Sequence, residues 1–159
     1  MSVAIQPGDF DAATEIEQLG ANSRSIGAVV SFIGLVRDSN LGQEVGSLFL
    51  EHYPGMAEQE IARIVDEARQ RWPLEAWRVV HRVGQLKPSD PIVFVGVASR
   101  HRGDAFAACE YIIDHLKTRV PFWKKEQVVT AAGQLESQWL DKRESDIEKV
   151  RGDRDQSLP

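Results

Sequence analysis

The sequence predicts a single α+β domain, and two observations lead to that prediction. Helix-type and strand-type patterns follow one another in the order α-β-β-α-β-β-α, so we expect antiparallel neighbours and not a doubly wound parallel sheet. The chain has 159 residues, of which 42% are hydrophobic. A chain of this length and composition can bury one sizeable core.

The N-terminal part of the chain predicts a short helix followed by a buried strand. Residues 9–19 begin with Asp9 and Asp11, either of which is suited to cap a helix, and Gly20 is suited to end it. Residues 26–36 are β-branched and apolar without a break, which is typical of a buried strand.

A polar loop, a second strand and a long helix are predicted next. Residues 37–46 are polar and contain glycine, which favours a mobile loop. Residues 47–53 alternate, and we expect them to pair with the preceding strand. Apolar residues recur at helical spacing over 56–71, so an amphipathic helix is expected to end before Pro73.

Two further strands and another long helix follow. Residues 77–83 alternate like a strand, and residues 84–90 have the composition of a turn. Residues 91–99 form a continuous apolar run, which is typical of a strand covered on both faces. Apolar residues at helical spacing predict a helix over 104–118, and Pro121 prevents its continuation.

The last third of the chain differs in composition from the rest. Residues 127–140 favour a hairpin across Gly133. The remainder of the chain is highly charged and has few apolar residues, which is typical of disorder. We therefore expect a folded domain over 1–145 and a charged, disordered tail over 146–159.

Composition and charge argue against several classes of protein. The net charge of −5 opposes nucleic-acid binding, and no apolar run approaches the roughly 20 residues that cross a bilayer. The single cysteine, Cys109, excludes an internal disulfide and a cysteine-rich metal site, and its place on an apolar helix face favours a core role. The first ten residues lack the pattern of a secretory signal, so we expect a cytoplasmic protein.

Positive charge is concentrated in residues 99–125 of this acidic chain, which carry six Lys or Arg and three Asp or Glu. Such a cluster favours a small acidic ligand, because long polyanions usually require a broader basic surface. Within it, residues 99–103 join a buried strand to a helix N-terminus, where backbone N–H groups and arginines favour an anion. A solvated basic turn is the alternative. No dinucleotide or P-loop glycine motif is present.

Two lysines in this segment are candidates for chemistry. Lys117 lies near a helix C-terminus, where pairing with the helix dipole is the simpler explanation. Pro121 turns the chain and the Phe122–Trp123 pair is expected to be buried, so Lys124 can fold back towards Lys117. Two neighbouring ammonium groups disfavour each other's protonation, and one lysine could then act as a base or nucleophile near pH 7.

An arginine and the histidines complete the candidates. Arg37 follows a buried strand, where a ligand contact and an ordinary edge arginine are both compatible with the sequence. His52 and His81 lie in predicted strands and are expected to be structural, whereas His101 is expected in a pocket. The histidines have no metal-ligand spacing, so we expect neither a metal ion nor a cofactor.

Several long motifs resemble one known family. They are FIGLVRDSNLG (32–42), LEHYPGM (50–56), RWP (71–73), HRVG (81–84), IVFVGVASRHR (92–102) and YIIDHLKTRVPFWKKE (111–126). Together they resemble the catalytic (large) subunit of molybdopterin synthase, and the similarity runs from about residue 3 to 145.

The resemblance implies a sulfurtransferase of molybdenum cofactor biosynthesis. It implies conversion of cyclic pyranopterin monophosphate (precursor Z) to molybdopterin, with sulfur delivered as a C-terminal thiocarboxylate on a ubiquitin-like small subunit. It implies a homodimer of large subunits within a heterotetramer, and an α/β-hammerhead-type fold with an added small antiparallel β subdomain. A single core cysteine cannot supply two sulfurs, which agrees with delivery by a partner.

The resemblance also implies a set of site residues. Lys117 and Lys124 are implied to be catalytic and to contact substrate, with further substrate contacts from Arg37, His101, Arg102, Lys125 and Glu126 and a pocket wall of Phe32 and Ile113. Ile113 stands where some relatives carry Met, a substitution that conserves apolar volume. Whether Arg102 serves its own pocket or that of a neighbouring protomer is open.

Two other functions are compatible with the residues alone. The basic pocket could hold an anion or the tail of a partner without doing chemistry. A small RNA-binding domain using the basic residues with Phe122 and Trp123 is the second alternative, and the net charge opposes it.

Overall fold

A computed structural model describes residues 1–21, 23–40 and 42–140. The elements in chain order are β1 (Ser2–Gln6), α1 (Ala12–Ala21), β2 (Ala28–Leu35), β3 (Ser39–Asn40), β4 (Gln43–His52), α2 (Met56–Arg71), β5 (Leu74–Arg82), β6 (Gly84–Leu86), β7 (Pro91–Ser99), α3 (Arg102–Arg119), β8 (Phe122–Val129) and β9 (Leu135–Leu140). Within the described ranges, no helix is long and apolar enough to cross a membrane.

The strands of the described residues form two sheets. The first sheet has the order β1-β5-β7-β2, in which only the β1–β5 pair is parallel. The second sheet has the order β3-β4-β8-β9, with β6 also paired to β4. The prediction of an α+β fold with an added small antiparallel subdomain is confirmed.

Helices cover both faces of the first sheet. Helices α2 and α3 pack with Val79 and Val95 in the main core, and α1 lies on the opposite face against Phe94. The amphipathic pattern of 56–71 predicts α2 correctly, because Ile61 and Ile64 are fully buried. The continuous apolar run over 91–99 also predicts β7 correctly, since that strand is central and covered on both sides.

Helix α1 begins where the sequence places a cap. The Asp11 carboxylate accepts hydrogen bonds from the backbone N–H of Ala13 at 3.0 Å and from the Thr14 hydroxyl at 2.8 Å. These hydrogen bonds hold the pKa of Asp11 below its usual range, and the bond from Thr14 has the largest effect. Gly20 does not end the helix, which continues to Ala21.

Two predictions about the 37–53 region are wrong. The segment 37–46 is not simply a loop, because Ser39 pairs with Glu44 in the β3–β4 hairpin. Strand β4 does not pair with β2 but with β8. The backbone of Val36 explains this difference. Its N–H donates to the carbonyl oxygen of Asp90, and its carbonyl oxygen accepts from the N–H of Ser89. The chain leaves the first sheet there, and the buried side chains of β4 form a separate core.

Strand β2 is buried on one face only, contrary to the prediction. It is an edge strand of the first sheet, and its side chains alternate between half-buried and exposed. Val29, Ile33 and Leu35 are 36%, 39% and 53% exposed. Strand β1 was not predicted, because a five-residue N-terminal segment with one polar end carries little periodic signal.

The segment after Pro121 is a strand and not a loop. Strand β8 pairs with β4 on one side and β9 on the other. Phe122 is half-buried in the core, whereas Trp123 is 47% exposed, so the expected burial of both aromatics is wrong for Trp123. The β8–β9 hairpin across Gly133 is confirmed, and Gly133 has the positive φ (74°) that glycine tolerates. The predicted disordered tail, 146–159, lies outside the described residues.

Candidate active site

Helix α3 places two groups of cations at its two ends. It follows β7 after a two-residue turn and packs back against β7 and β2. His101 and Arg102 lie at its start, and Lys117 lies in its last turn. The C-terminal end of α3 therefore lies above the Leu35 end of β2.

Lys117 contacts an aromatic ring of β2. Its Nζ atom lies 5.9 Å from the ring centroid of Phe32, within the range of a cation–π interaction. Lys117 is exposed, and Phe32 is half-buried. Ile113 lies one helical turn before Lys117 and is 7% exposed. These three residues of the predicted site are therefore on adjoining parts of α3 and β2.

A row of small or buried residues lies beside Phe32 on the same face of the first sheet. The strand register pairs Gly34 of β2 with Val93 of β7, and Val93 with His81 of β5. Two interstrand spacings separate Gly34 from His81 by about 10 Å. A Cβ atom on Gly34 would lie 2.8 Å from Val93 Cγ1 and 3.3 Å from Phe32 Cε1, so only glycine fits here.

Strand β8 brings Lys124 to the far end of this row. The Phe122 ring stacks on the His81 imidazole with centroids 3.9 Å apart and planes inclined by 17°. Lys124 follows Phe122 by two residues, so both side chains are on one face of β8. Burial, and after it the positive charge of Lys124, lower the pKa of His81 to about 3. Lys124 is therefore close enough to His81 to act on it electrostatically.

Glu126 and Lys125 are on opposite faces of β8. Glu126 is 8% exposed and accepts a hydrogen bond from the Asn40 side-chain amide at 3.0 Å, on the face that carries Lys124. Lys125 points the other way, with its Nζ atom 5.5 Å from the Trp139 ring centroid. The structure therefore separates Lys125 from the other predicted site residues of β8.

Arg37 lies at the same end of the first sheet as Lys117. It is exposed and follows Val36, whose backbone is fixed by bonds of 2.9 and 2.8 Å to the 89–90 turn. Arg37 lies in the segment that links β2 to β3, two residues after the end of β2. Its exposed guanidinium group is suited to binding an anion.

His101 and Arg102 lie away from these residues within one chain. Arg102 and Lys117 are fifteen residues apart on α3, which corresponds to about 22 Å along the axis. The sequence predicted one cationic pocket that contains both Arg102 and Lys117. Within a single chain, these two residues do not lie in the same pocket. In the described structure, the start of α3 has no side-chain cap, so its first N–H groups are suited to an anion.

An ion-pair cluster fixes the C-terminal turn of α3 to α2. Arg119 donates to Glu67 at 2.6 and 2.9 Å and to Glu60 at 2.7 Å. Tyr111 donates its hydroxyl to Glu67 at 2.8 Å. Arg119 was not among the predicted site residues, although it lies in the LKTR motif two residues after Lys117.

Cys109 is confirmed as a core residue. Its thiol is 4% exposed and lies 3.8 Å from the carbonyl oxygen of Val95. Burial raises the pKa of the Cys109 thiol to about 11. A thiol in this state is a poor nucleophile near neutral pH.

Comparisons with known proteins agree with this geometry. The chain is 52% identical over 146 residues to the molybdopterin synthase catalytic subunit of Pseudomonas aeruginosa. The aligned region covers 92% of this chain and 94% of that protein. A solved MoaE protein of molybdopterin biosynthesis from Burkholderia ambifaria is 45% identical with a TM-score of 0.78, covering 94% of this chain and 95% of that one. The crystal structure of molybdopterin synthase from Staphylococcus aureus is 36% identical with a TM-score of 0.76, covering 88% and 96%.

The family model matches the part of the chain that contains most of the candidate site. It spans residues 5–119, which include Phe32, Arg37, His101, Arg102 and Lys117. The resemblance stated from the motifs is thereby confirmed. The chain belongs to the family described as MoaE protein.

Proposed function

We propose that this chain is the catalytic subunit of a molybdopterin synthase. It transfers sulfur from the C-terminal thiocarboxylate of a ubiquitin-like small subunit to cyclic pyranopterin monophosphate and so forms the dithiolene of molybdopterin. The observation that supports this most directly is the approach of α3 and β8 to one row of the first sheet, with Lys117 over Phe32 and Lys124 beside His81. Relatives of about 50% identity over more than nine-tenths of the chain carry the name of that enzyme subunit.

The two lysines suit the sulfur-transfer step. As each sulfur bonds to a side-chain carbon of the pterin, a carbon–oxygen bond of that carbon breaks and its electron pair leaves with the oxygen. The carbon–sulfur bond of the acyl group also breaks, and its electron pair stays with the sulfur. Two such transfers, each from one thiocarboxylate, form one dithiolene. In one route, water attacks the acyl carbon and Lys117 acts as the base that accepts its proton. In the other route, the amine of Lys117 attacks the acyl carbon and becomes a transient acyl acceptor. Lys124 stabilises the negative charge that develops on oxygen or sulfur.

The substrate phosphate requires cationic partners. We propose that Arg37 is one of them, because its exposed, planar guanidinium group suits bidentate binding of phosphate. Glu126 is held by Asn40 on the face of β8 that carries Lys124, and we propose that its fixed carboxylate orients the bound pterin. Lys125 is the least supported member of the predicted site, because it lies on the other face of β8.

We propose that His101 and Arg102 act in the site of a second copy of the chain. Strand β2 has no charged residue and its outer edge is unpaired among the described residues, which is unusual for an exposed edge strand. Antiparallel pairing of two β2 strands would place the Ala28 end of one copy beside the Leu35 end of the other. The start of α3 in one copy then lies next to Lys117 of the other, so that His101 and Arg102 of one copy add to Arg37 and Lys117 of the other.

The expected assembly is thus a homodimer of this subunit with one small subunit bound to each copy, a heterotetramer. We propose that residues 1–145 are sufficient for this assembly and that the tail over 146–159 is dispensable. We also propose a cytoplasmic location, because a chain with one reduced cysteine and a thiocarboxylated partner fits a reducing compartment.

Reconstitution with precursor and thiocarboxylated small subunit tests the function. Lys117→Ala is expected to lower dithiolene formation by about 100-fold or more while small-subunit binding is retained. Lys87→Ala is the matched control, because Lys87 is an exposed lysine in the turn after β6, and it should turn over like the wild type. Turnover by Lys117→Ala near the wild-type rate would refute the assignment. A wild-type chain that binds both partners and forms no dithiolene would instead be the non-catalytic binding module.

A further inference from the structure

His81 is buried beside the candidate site and has no role in the proposed chemistry so far. It is 3% exposed, on the same face of β5 as Val79 of the main core. Its Nδ1 atom lies 2.8 Å from the carbonyl oxygen of Arg82. A carbonyl only accepts hydrogen bonds, so Nδ1 carries the proton and donates it, and Nε2 keeps its lone pair.

The imidazole of His81 stays uncharged throughout the physiological range. Burial lowers its pKa to about 3, and the charges of Lys124 from β8 and His52 from β4 act in the same direction. A neutral ring is the form that packs on another aromatic ring without a desolvation cost. The planes of His81 and Phe122 are nearly parallel at 3.9 Å, which is a close stacked contact.

This stacked contact fixes the start of β8. Phe122 is the first residue of that strand and packs against both the main core and the core of the second sheet. Lys124 is two residues further on the same face, and its backbone pairs with Leu50 of β4. The position of the lysine above the Gly34–Val93–His81 row therefore depends on where the Phe122 ring is held.

We propose that His81 is a positioning residue for Lys124, acting through the Phe122 ring that stacks on it. Only the expected effect of His81 on dithiolene formation rests on the proposed function. The positioning of Lys124 itself is a property of the free chain and can be measured without substrate or partner.

Competitive labelling of lysines with acetic anhydride, read by mass spectrometry, measures that property. The readout is the labelling rate of Lys124 relative to Lys125, its neighbour on the opposite face of β8. His81→Leu removes the stacked ring and is expected to raise this ratio by about threefold, because Lys124 loses its fixed environment. His81→Phe restores a ring that can stack on Phe122 and is expected to restore the wild-type ratio. Partial unfolding would move the ratio towards that of the denatured chain, so the ratio is compared only between variants that circular dichroism shows to be fully folded.

His115→Leu is a matched control. His115 is also buried, its Nδ1 atom lies 2.9 Å from the Tyr111 carbonyl oxygen, and its ring stacks on Tyr111 at 3.9 Å. It faces Glu67 of α2, whose pKa its charge helps to lower, and so belongs to a different cluster. The control is expected to leave the Lys124 to Lys125 ratio unchanged.

In reconstituted turnover, His81→Leu is expected to lose about tenfold in kcat, and His81→Phe should recover most of it. A wild-type labelling ratio in His81→Leu would overturn the proposal, and so would an equal change in His81→Phe or in His115→Leu. A changed labelling ratio in a chain that forms no dithiolene would leave His81 as the positioning residue and refute the proposed function instead.

Discussion

Arg119→Ala tests how strongly the end of α3 that carries Lys117 is held to α2. The substitution removes three charged hydrogen bonds, two to Glu67 and one to Glu60, with lengths of 2.6, 2.9 and 2.7 Å. The Arg119 and Glu60 side chains are 19% exposed and the Glu67 side chain is 40% exposed. The cluster is therefore partly shielded from water, and its loss is expected to be measurable.

The magnitude follows from the bonds and their exposure. Charge-assisted hydrogen bonds contribute about 1.5–3 kcal/mol each, so three would give roughly 4–9 kcal/mol if they were fully buried. Water can replace Arg119 at both carboxylates because of their exposure, so we expect about 2–3 kcal/mol of the free energy of unfolding to be lost. In a domain of this size that loss corresponds to a fall in Tm of about 8 °C.

Urea unfolding and calorimetry at pH 7 measure this change. Arg63→Ala is the control, since Arg63 also contacts Glu60 but at 3.4 Å and with a side chain 70% exposed, and it should cost less than about 0.5 kcal/mol. A loss below about 1 kcal/mol for Arg119→Ala would show that the cluster does not hold α3 to α2.

The same variant has a predicted dependence on pH. The hydrogen bonds from Arg119 are the first cause that holds the pKa of Glu67 below its ordinary value of 4.5. A carboxyl group whose pKa is lowered by folding stabilises the protein above its unfolded pKa, and this contribution is lost as the pH falls through the folded value. The difference between wild type and Arg119→Ala should be full at pH 7 and shrink as the pH falls below 4.5. A difference that grows on acidification would contradict this account.

Two further predictions concern the proposed site and the proposed dimer. In Gly34→Ala, the added Cβ atom would lie 2.8 Å from Val93 Cγ1 and 3.3 Å from Phe32 Cε1, so the Phe32 ring should be displaced and dithiolene formation should fall by about tenfold. Gly20→Ala in α1, where nothing lies within 4 Å, should keep full turnover, and equal rates for the two variants would contradict the prediction. Lys117→Ala and Arg102→Ala chains, each inactive alone, should regain about a quarter of wild-type activity after mixing and re-association, since half of the dimers then contain one intact site. An inactive mixture that contains heterodimers would place Arg102 and Lys117 in the same chain's site.

Local patterns allowed the long elements to be predicted, and pairing between distant segments was the main source of error. The bounds of α2 follow from its apolar periodicity, and those of β7 follow from a continuous apolar run. The partner of β4 depends on how Val36 is held by the 89–90 turn, which no local pattern shows. Arg37, Lys117 and Lys124 were recognised as candidates from their motifs.

The arrangement of the candidate site was less predictable than its members. Lys125 was grouped with Lys124 through the family resemblance, which carries no information on the faces of β8. A strand sends adjacent side chains to opposite faces. His101 and Arg102 were grouped with Lys117 because all three belong to the basic segment 99–125. The rise of a helix separates them, and this separation follows only once α3 is known to be continuous. His81 was taken as structural because a lone strand histidine carries no functional signal.

In the dimer that we propose, the eighteen residues of α3 act as a spacer between two reaction centres. With its first turn serving one centre and its last turn the other, the helix has a length that is set by the geometry of the pair of subunits. A single inserted residue would turn the two ends by about 100° relative to each other without altering any side chain at either end. Its length is therefore as much a part of the catalytic apparatus as the identity of any lysine.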